Sequence, residues 1–202
     1  MAVAAAVQLA VRPRQRLSSL YEQLIEGTVR LARSDSWHEH LAARRLAQHD
    51  AAATEALRLR LDGPDPSDLY SDLSRRAASF GFRVTLTAAD LYGGLGMYGP
   101  DRHQIWVRTG GSPAQRTKVL AHELAHGLLG HVALSQEQKA GGEIMAEAVA
   151  YMVAGACGLD TSAYSFGYIV LWARGGKAAR RHLREDAPHI AQATRQILGT
   201  MA

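Results

Sequence analysis

The sequence of 202 residues predicts a mainly helical α+β fold with a small antiparallel sheet and an N-terminal helical extension. Three observations support this class. Most of the chain repeats apolar residues at the spacing of an α-helix. Between residues 82 and 108 the pattern changes to short alternating segments broken by glycine, which is typical of strands and turns. Two later segments begin with the residues that cap helices.

Residues 1–66 predict the helical extension. Leucines at helical spacing indicate one helix over residues 14–33 and a second over residues 37–61. A Gly-Pro-Asp-Pro sequence at residues 63–66 then interrupts the pattern. We place the boundary with a second domain, residues 67–202, at this point.

The sheet is predicted from three short segments that follow a further helix. That helix covers residues 68–80, with Ser67 as its N-cap. Residues 82–86 and 97–98 have the pattern of short strands, and a glycine-rich turn separates them. Residues 104–108 also alternate, and we expect them to form an edge strand. An edge strand can hold an extended peptide by adding it to the sheet.

The segment from Val119 to Leu129 contains the sequence His-Glu-x-x-His inside an apolar helical pattern. Positions i and i+4 of a helix share a face, so His122 and His126 can present two imidazole nitrogens to one cation. Glu123 lies beside that face, where it can hold a water molecule and accept its proton. This spacing is typical of mononuclear zinc hydrolases.

A catalytic zinc ion commonly takes three protein ligands and leaves a fourth position for water. The downstream candidates for the third ligand are His131, Glu143, Glu147 and Cys157. His131 is one residue out of register with the metzincin pattern, and we interpret it as a helix-end residue or a support for a ligand. Cys157 lies about 15 Å along a continuous helix from Glu147, so both cannot bind the same ion. We interpret Cys157 as a small buried apolar residue.

A second capping motif, which begins at Ser135, predicts a helix that carries both glutamates. Glu143 and Glu147 are again i and i+4, so both can face the motif helix. We predict that Glu147 joins His122 and His126 as the third ligand of one zinc ion, which is the arrangement of a zincin-like gluzincin. Glu143 has two interpretations: an acceptor for a ligand imidazole, or a solvated carboxylate that complements the helix dipole.

These residues resemble the ImmA/IrrE-like metallopeptidases, and within them the catalytic domain of ArdC-type antirestriction proteins. The resemblance is carried by residues 120–126, 147–151 and 158–168. It implies that His122, His126 and Glu147 bind zinc and that Glu123 is the general acid/base.

The resemblance also implies partners. Members of the broader family cleave repressor proteins in phages, mobile elements and stress responses. ArdC-type members protect incoming DNA by means of a separate N-terminal domain that binds single-stranded DNA. Here residues 1–66 are too short for that domain, and Met145 stands where many relatives have a further glutamate. A protein or peptide substrate is therefore the expected partner, with nucleic acid as a further candidate.

Composition limits the alternatives. A formal net charge of +4 excludes a strongly acidic mimic of DNA, and the arginines are spread along the chain as on solvated helix faces. A single cysteine excludes both a disulfide framework and a four-cysteine zinc site. No apolar stretch approaches the roughly 20 residues of a membrane span, and no secretory signal is recognisable. We therefore expect a cytoplasmic protein.

The sequence thus predicts a zinc endopeptidase in which metal-activated water attacks a peptide bond of a regulatory protein such as a repressor. Glu123 would accept the proton of the water and pass it to the leaving amine. Three tyrosines are candidate proton donors to the tetrahedral intermediate: Tyr151, Tyr164 and Tyr168. The alternative is a non-catalytic, zinc-bearing module that sequesters a protein or binds single-stranded DNA.

Overall fold

The computed structural model describes residues 17–47, 59–131 and 135–199 of the chain. Within these residues the helices are α1 (Leu17–Leu31), α2 (Asp35–Leu46), α3 (Leu69–Ser79), α4 (Pro113–Leu128), α5 (Gln136–Ala156), α6 (Ser162–Ala173), α7 (Gly176–Glu185) and α8 (Ala187–Leu198). The strands are β1 (Arg83–Thr87), β2 (Gly96–Gly99) and β3 (Gln104–Arg108). This mainly helical arrangement with a small sheet agrees with the predicted α+β class.

The sheet has the strand order β1-β3-β2 and is mixed rather than antiparallel. β2 pairs with β3 in antiparallel register, as Tyr98 opposite Ile105, whereas β1 pairs with β3 in parallel. The prediction of an antiparallel sheet is therefore wrong for β1. The expected edge strand is also wrong, because β3 lies in the centre and β1 and β2 form the edges. Alternation shows which side chains share a face, but it carries no information about a strand's neighbours.

Helices α4 and α5 pack against each other and form the centre of the protein. The fully buried side chains of Leu120, Leu124 and Ile144 lie in this core. Burial of each such side chain contributes about 1.5–3 kcal/mol to folding. The sheet covers one side of α4, where β3 directs the buried residues Ile105 and Val107 into the same core.

Helix α1 contributes to the same core, since Leu20, Leu24 and Ile25 belong to the continuous cluster of buried residues. Close approach of α1 to α6 depends on Gly27, because a side chain there would overlap the ring of Phe166. The part of the predicted extension that the structure describes therefore packs directly on the helices of the second predicted domain.

The predicted boundary segment is bonded to the start of α4. The Leu61 N–H donates to Gln115 Oε1 at 2.8 Å, and the Ser112 hydroxyl donates to the Leu61 carbonyl at 2.6 Å. Ser112 caps α4 as predicted, because its Oγ accepts a hydrogen bond from the Gln115 N–H at 3.0 Å. These bonds hold the N-terminus of the motif helix in place.

Two predicted helices differ from the observed ones. The helix expected over residues 37–61 ends at Leu46, and residues 59–61 are not helical, while residues 48–58 lie outside the described part of the chain. The sequence also predicts one closing helix over residues 177–198 that bends at Pro188, but this segment forms two helices, α7 and α8, that meet at Asp186. Pro188 lies in the first turn of α8, where a missing N–H costs no hydrogen bond, so it opens a new helix rather than bending a longer one.

Two smaller expectations concern helix ends and Cys157. Asp68 rather than Ser67 holds the N-cap position of α3, and both residues have positive φ. Cys157 is 7% exposed at the end of α5, as expected for a small buried residue. Burial, and to a lesser extent Asp72, raises the pKa of its thiol to about 11. Among the described helices, none is long and apolar enough to cross a membrane.

Candidate metal centre

Helices α4 and α5 direct three ligand-type side chains towards one point. The Nε2 atoms of His122 and His126 lie 3.1 Å apart. Glu143 of α5 faces both, with Oε2 3.3 Å from His122 Nε2 and Oε1 3.7 Å from His126 Nε2. The ligand atoms of these three residues all lie within 4.8 Å of one another.

These distances fit a tetrahedral cation. Ligands placed about 2.0–2.2 Å from zinc at tetrahedral angles are separated from each other by about 3.3 Å. The two Nε2 atoms lie 3.1 Å apart, and the two oxygens of Glu143 lie 3.3 and 3.7 Å from them, so the observed separations are close to that value. Two imidazoles and a carboxylate also form the nitrogen and oxygen donor set that zinc accepts. The residues present therefore fit the metal that the sequence implied.

Glu147, the predicted third ligand, lies outside this group. Its carboxylate is fully buried one turn further along α5 and accepts a hydrogen bond from His122 Nδ1 at 2.9 Å. It also contacts Lys118 Nζ at 2.5 Å and accepts a hydrogen bond from the Ser165 hydroxyl at 2.7 Å. The two carboxylates thus occupy exchanged positions relative to the expectation: Glu143 faces the Nε2 atoms of both histidines, and Glu147 contacts Nδ1 of His122. Which of them binds a metal stays a prediction.

The geometry of two crossing helices accounts for this exchange. Residues i and i+4 share a helix face but lie about 6 Å apart along the axis. Glu143 is the nearer to the open end of the helix pair, where its side chain is 15% exposed, whereas that of Glu147 is 0% exposed. Spacing alone predicts that both carboxylates face α4, and only the relative position of the helices decides which reaches the Nε2 atoms.

His131 supports the second histidine from the other side. Its Nδ1 lies 2.9 Å from His126 Nδ1, and its backbone N–H donates to the His126 carbonyl at 3.1 Å. Burial, followed by the nearby His126, lowers the pKa of His131 to about 4, so its ring is neutral at pH 7. A ligand histidine whose second nitrogen is hydrogen-bonded keeps one ring orientation. This contact fits the interpretation of His131 as a support for a ligand.

Glu123 lies beside the three facing residues, at the wall formed by β2. Its side chain has no hydrogen-bond partner among the described residues, and burial raises its pKa despite the opposing effect of His122 and His126. The backbone of Gly96 approaches it closely: a Cβ atom at that position would lie 2.8 Å from Glu123 Oε1 and 2.5 Å from Val119 Cγ1. The absence of a side chain at Gly96 therefore leaves room for the Glu123 carboxylate.

A cleft of about 990 Å³ is lined by the four residues of the site: His122, Glu123, His126 and Glu143. Residues 91–98, which include the first three residues of β2, form one wall, and Tyr168 and Trp172 of α6 form part of the other. At the rim, Tyr92 is 94% exposed and has a positive φ of 54°. The walls of the cleft are both apolar and polar, as is common for a binding site.

Contacts between charged groups shift the pKa values around the site. Burial alone would lower the pKa of His122, but hydrogen bonds to Glu143 and Glu147 raise it to about 9. Burial would raise the pKa of Glu147, but Lys118 and His122 hold it at about 2. His122 is therefore protonated at pH 7 in the metal-free protein, and a metal ion that binds its Nε2 atom would displace a proton.

Sequence reasoning missed Lys118 and Ser165. Lys118 precedes His122 by four residues on an otherwise apolar helix face, and this spacing could have indicated a buried cation beside the motif. Its Nζ lies 3.8 Å from the centre of the Tyr164 ring. Ser165 follows Thr161 by one turn, and their hydroxyls are 2.9 Å apart. No local pattern in the sequence indicated that Ser165 would reach Glu147.

The three candidate tyrosines lie in different places. Tyr168 is nearest the site, because its hydroxyl donates to Glu143 Oε2 at 2.6 Å. The ring of Tyr164 packs on Lys118 and lines the cleft. Tyr151 is buried against Phe166 and does not line the cleft. Tyr168 is thus the tyrosine whose hydroxyl the fold brings to the ligand group.

Two imidazoles and a carboxylate that face one another in an open cleft form the ligand set of a mononuclear metallohydrolase. Residues 77–163 match the profile of the IrrE N-terminal-like domain, the family Peptidase_M78. The match includes both motif helices and supports the ImmA/IrrE family and a metallopeptidase. The finer resemblance to ArdC-type proteins stays a prediction.

No curated protein matches the chain significantly. Among solved structures, a Mycobacterium tuberculosis transcriptional regulator is similar over 90% of this chain, with 15% sequence identity and a TM-score of 0.30. The chain spans about half of that protein, 48% of its length. A likeness at this identity and TM-score supports no conclusion about fold or function.

The close approach at Gly96 predicts the effect of an added methyl group. We expect Gly96→Ala to lower the free energy of unfolding by about 1–3 kcal/mol, because β2 must move away from α4 to admit the Cβ atom. Gly110→Ala is the control, since a Cβ there meets no atom within 4 Å. Denaturant unfolding of both variants checks this, and equal stabilities would contradict the proposed contact.

Proposed function

We propose that this protein is a zinc-dependent endopeptidase that binds the metal through His122, His126 and Glu143 and uses Glu123 as the general acid/base. The observation that carries the proposal is the convergence of the first three side chains beside an ionisable Glu123 in an open cleft. A purely structural metal site would need neither the cleft nor the additional carboxylate of Glu123. The family match over residues 77–163 supports the same reaction class.

When bound, zinc would polarise the scissile carbonyl and lower the pKa of a coordinated water. The protein's own part begins with Glu123, which accepts the proton of the attacking water and delivers it to the leaving amine. Burial raises the pKa of Glu123, which makes its carboxylate a stronger base. Tyr168 is the neutral hydroxyl closest to the site and is the preferred candidate for the donor to the developing oxyanion.

β2 offers a binding edge for the substrate. Among the described strands it pairs only with β3, and its residues Gly96, Met97 and Tyr98 line the cleft. An extended peptide can therefore add to this edge through backbone hydrogen bonds, which would place it alongside Glu123. β2 replaces residues 104–108 in the role that the sequence analysis gave to an edge strand.

We further propose a regulatory protein, such as a repressor of a phage, mobile element or stress response, as the substrate. The support for this setting is the match to the IrrE N-terminal-like family together with a cleft that admits an extended peptide. A cytoplasmic location is part of the same proposal, since such regulators act there.

Replacement of Glu123 tests the reaction class. We expect Glu123→Gln to lower kcat for peptide hydrolysis at least about a thousandfold, because the amide cannot accept the proton, while the zinc content stays at that of the wild type. Cleavage of a fluorogenic peptide mixture and elemental analysis of both proteins provide the measurements. Turnover by the variant at the wild-type rate would contradict this role.

Replacement of each helix α5 glutamate tests the ligand assignment. Glu143→Ala should abolish stoichiometric zinc binding, because it removes a donor atom from the facing group. Glu147→Gln should retain zinc with affinity reduced about 10–100-fold, because the amide oxygen still accepts from His122 Nδ1. Metal titration of the two variants checks this. The opposite pattern would restore Glu147 as the ligand.

A second candidate function is that of a non-catalytic module that binds nucleic acid. One observation favours it: Arg30, Arg33, Arg180 and Arg184 line a groove of about 630 Å³ between α1 and α7. The fold thus brings together arginines that the sequence analysis interpreted as separate solvated faces, although Glu22 and Glu26 share the groove.

Binding of a labelled single-stranded oligonucleotide tests the second candidate. If the groove binds phosphate groups, affinity should fall steeply with salt and should be lost in the Arg180→Glu, Arg184→Glu double variant. Arg83→Glu on β1 is the control for a single added negative charge. Fluorescence anisotropy at several salt concentrations gives the slope, and the absence of salt-dependent binding would reject this function.

A further inference from the structure

Lys118 is a buried cation for which the proposed reaction has no use. Its side chain is 2% exposed, and it lies one helical turn before His122 on the face of α4 that meets α5. A buried ammonium is costly unless a partner of opposite charge compensates it. The partner is Glu147, whose carboxylate is 0% exposed, with Lys118 Nζ 2.5 Å from its Oε2 atom.

The same carboxylate oxygen receives the hydrogen bond from the metal-facing histidine. His122 Nδ1 lies 2.9 Å from Glu147 Oε2, so Lys118 and His122 meet at one atom. The other oxygen, Oε1, accepts from Ser165 at 2.7 Å. Because an ionised carboxylate can only accept, Nδ1 of His122 must carry a proton, and Nε2 is the nitrogen that a metal ion would bind. Nε2 is the atom that faces His126 and Glu143.

The position of the ammonium is itself fixed. Its Nζ lies 3.8 Å from the centre of the Tyr164 ring and 5.1 Å from that of Tyr168, so two aromatic rings of α6 also pack against it. The charged groups that face it are Glu147 at contact distance and Glu123 further away. Lys118 therefore joins α4, α5 and α6 at one point next to the ligand group.

We propose that Lys118 is a positioning residue that acts through Glu147 to fix the ring orientation and tautomer of His122, and so determines how tightly the site holds its metal. The inference rests on the proposed function, since it assumes that His122 is a ligand. Hydrogen-bonded partners of ligand histidines commonly change metal affinity by about 10–100-fold when they are removed.

A role in folding alone predicts a different behaviour. A buried ion pair can often be replaced by neutral residues of similar volume without loss of stability. If Lys118 and Glu147 served only the fold, the double variant Lys118→Met, Glu147→Gln would match the wild type in both stability and zinc affinity. If they serve the metal site, stability should be kept and zinc affinity should fall.

The test compares five proteins: the wild type, Lys118→Met, Glu147→Gln, the double variant, and Lys177→Met, which removes an exposed lysine of α7. Zinc affinity is measured by competition with a chromophoric chelator, and thermal unfolding of the metal-free proteins is followed in parallel. The visible spectrum of the cobalt-substituted proteins reports the geometry of the bound metal independently of activity.

We expect Lys118→Met to weaken zinc binding about 10–100-fold and to alter the cobalt spectrum, while Lys177→Met does neither. The double variant should bind zinc no more weakly than Glu147→Gln, because Lys118 acts only through that carboxylate. A folded Lys118→Met protein with wild-type affinity would overturn the proposal, and so would additive losses in the double variant.

Either single variant leaves one buried charge unpaired and can fail to fold. The double variant has no unpaired buried charge, so it keeps the test decisive: wild-type zinc affinity in that protein overturns the proposal. Absence of zinc binding by the wild type would instead reject the proposed function, so the two failures are distinguishable.

Discussion

The close packing of α4 on α5 is the constraint on which both the core and the site depend. Leu120, Leu124 and Ile144 are fully buried at this interface, so the relative position of the two helices is set by apolar packing. The polar side chains of the site lie on the same two helices, so the packing of these helices also determines where the side chains lie. The hydrogen bond between His122 and Glu147 is therefore formed by the same packing that stabilises the protein.

Such an arrangement would couple a bound metal ion to the stability of the fold. Three carboxylates and a lysine are held in or beside a mainly apolar core, and their interactions offset the cost of removing them from water only when their geometry is kept. A cation that binds the folded chain and not the unfolded one adds stability in proportion to its concentration and affinity. The residues that prepare the site and those that hold the helices together thus form one cooperative unit.

Local patterns in the sequence were sufficient for some features and not for others. Spacing on one helix predicted that His122 and His126 share a face, and their Nε2 atoms lie 3.1 Å apart, because periodicity determines which side chains share a face. The same rule could not separate Glu143 from Glu147, since both share a face and the choice depends on how two helices cross. The strand order failed for a similar reason: β1 pairs with β3 rather than with its neighbour in sequence. The sequence did not indicate that Lys118 is buried, because burial of a lysine depends on partners from two other helices.

The close approach of Gly96 to Glu123 affects how a peptide bound to β2 would be positioned. At Gly96, β2 lies against α4 without an intervening side chain, which places the strand directly beside Glu123. A peptide added to this edge would expose alternate side chains to the two sides of the cleft, and a shift by one residue would exchange them all. The peptide bond to be cleaved would then be selected by which side chains of the substrate alternate to each side of the cleft. A single preferred residue next to that bond would not be sufficient.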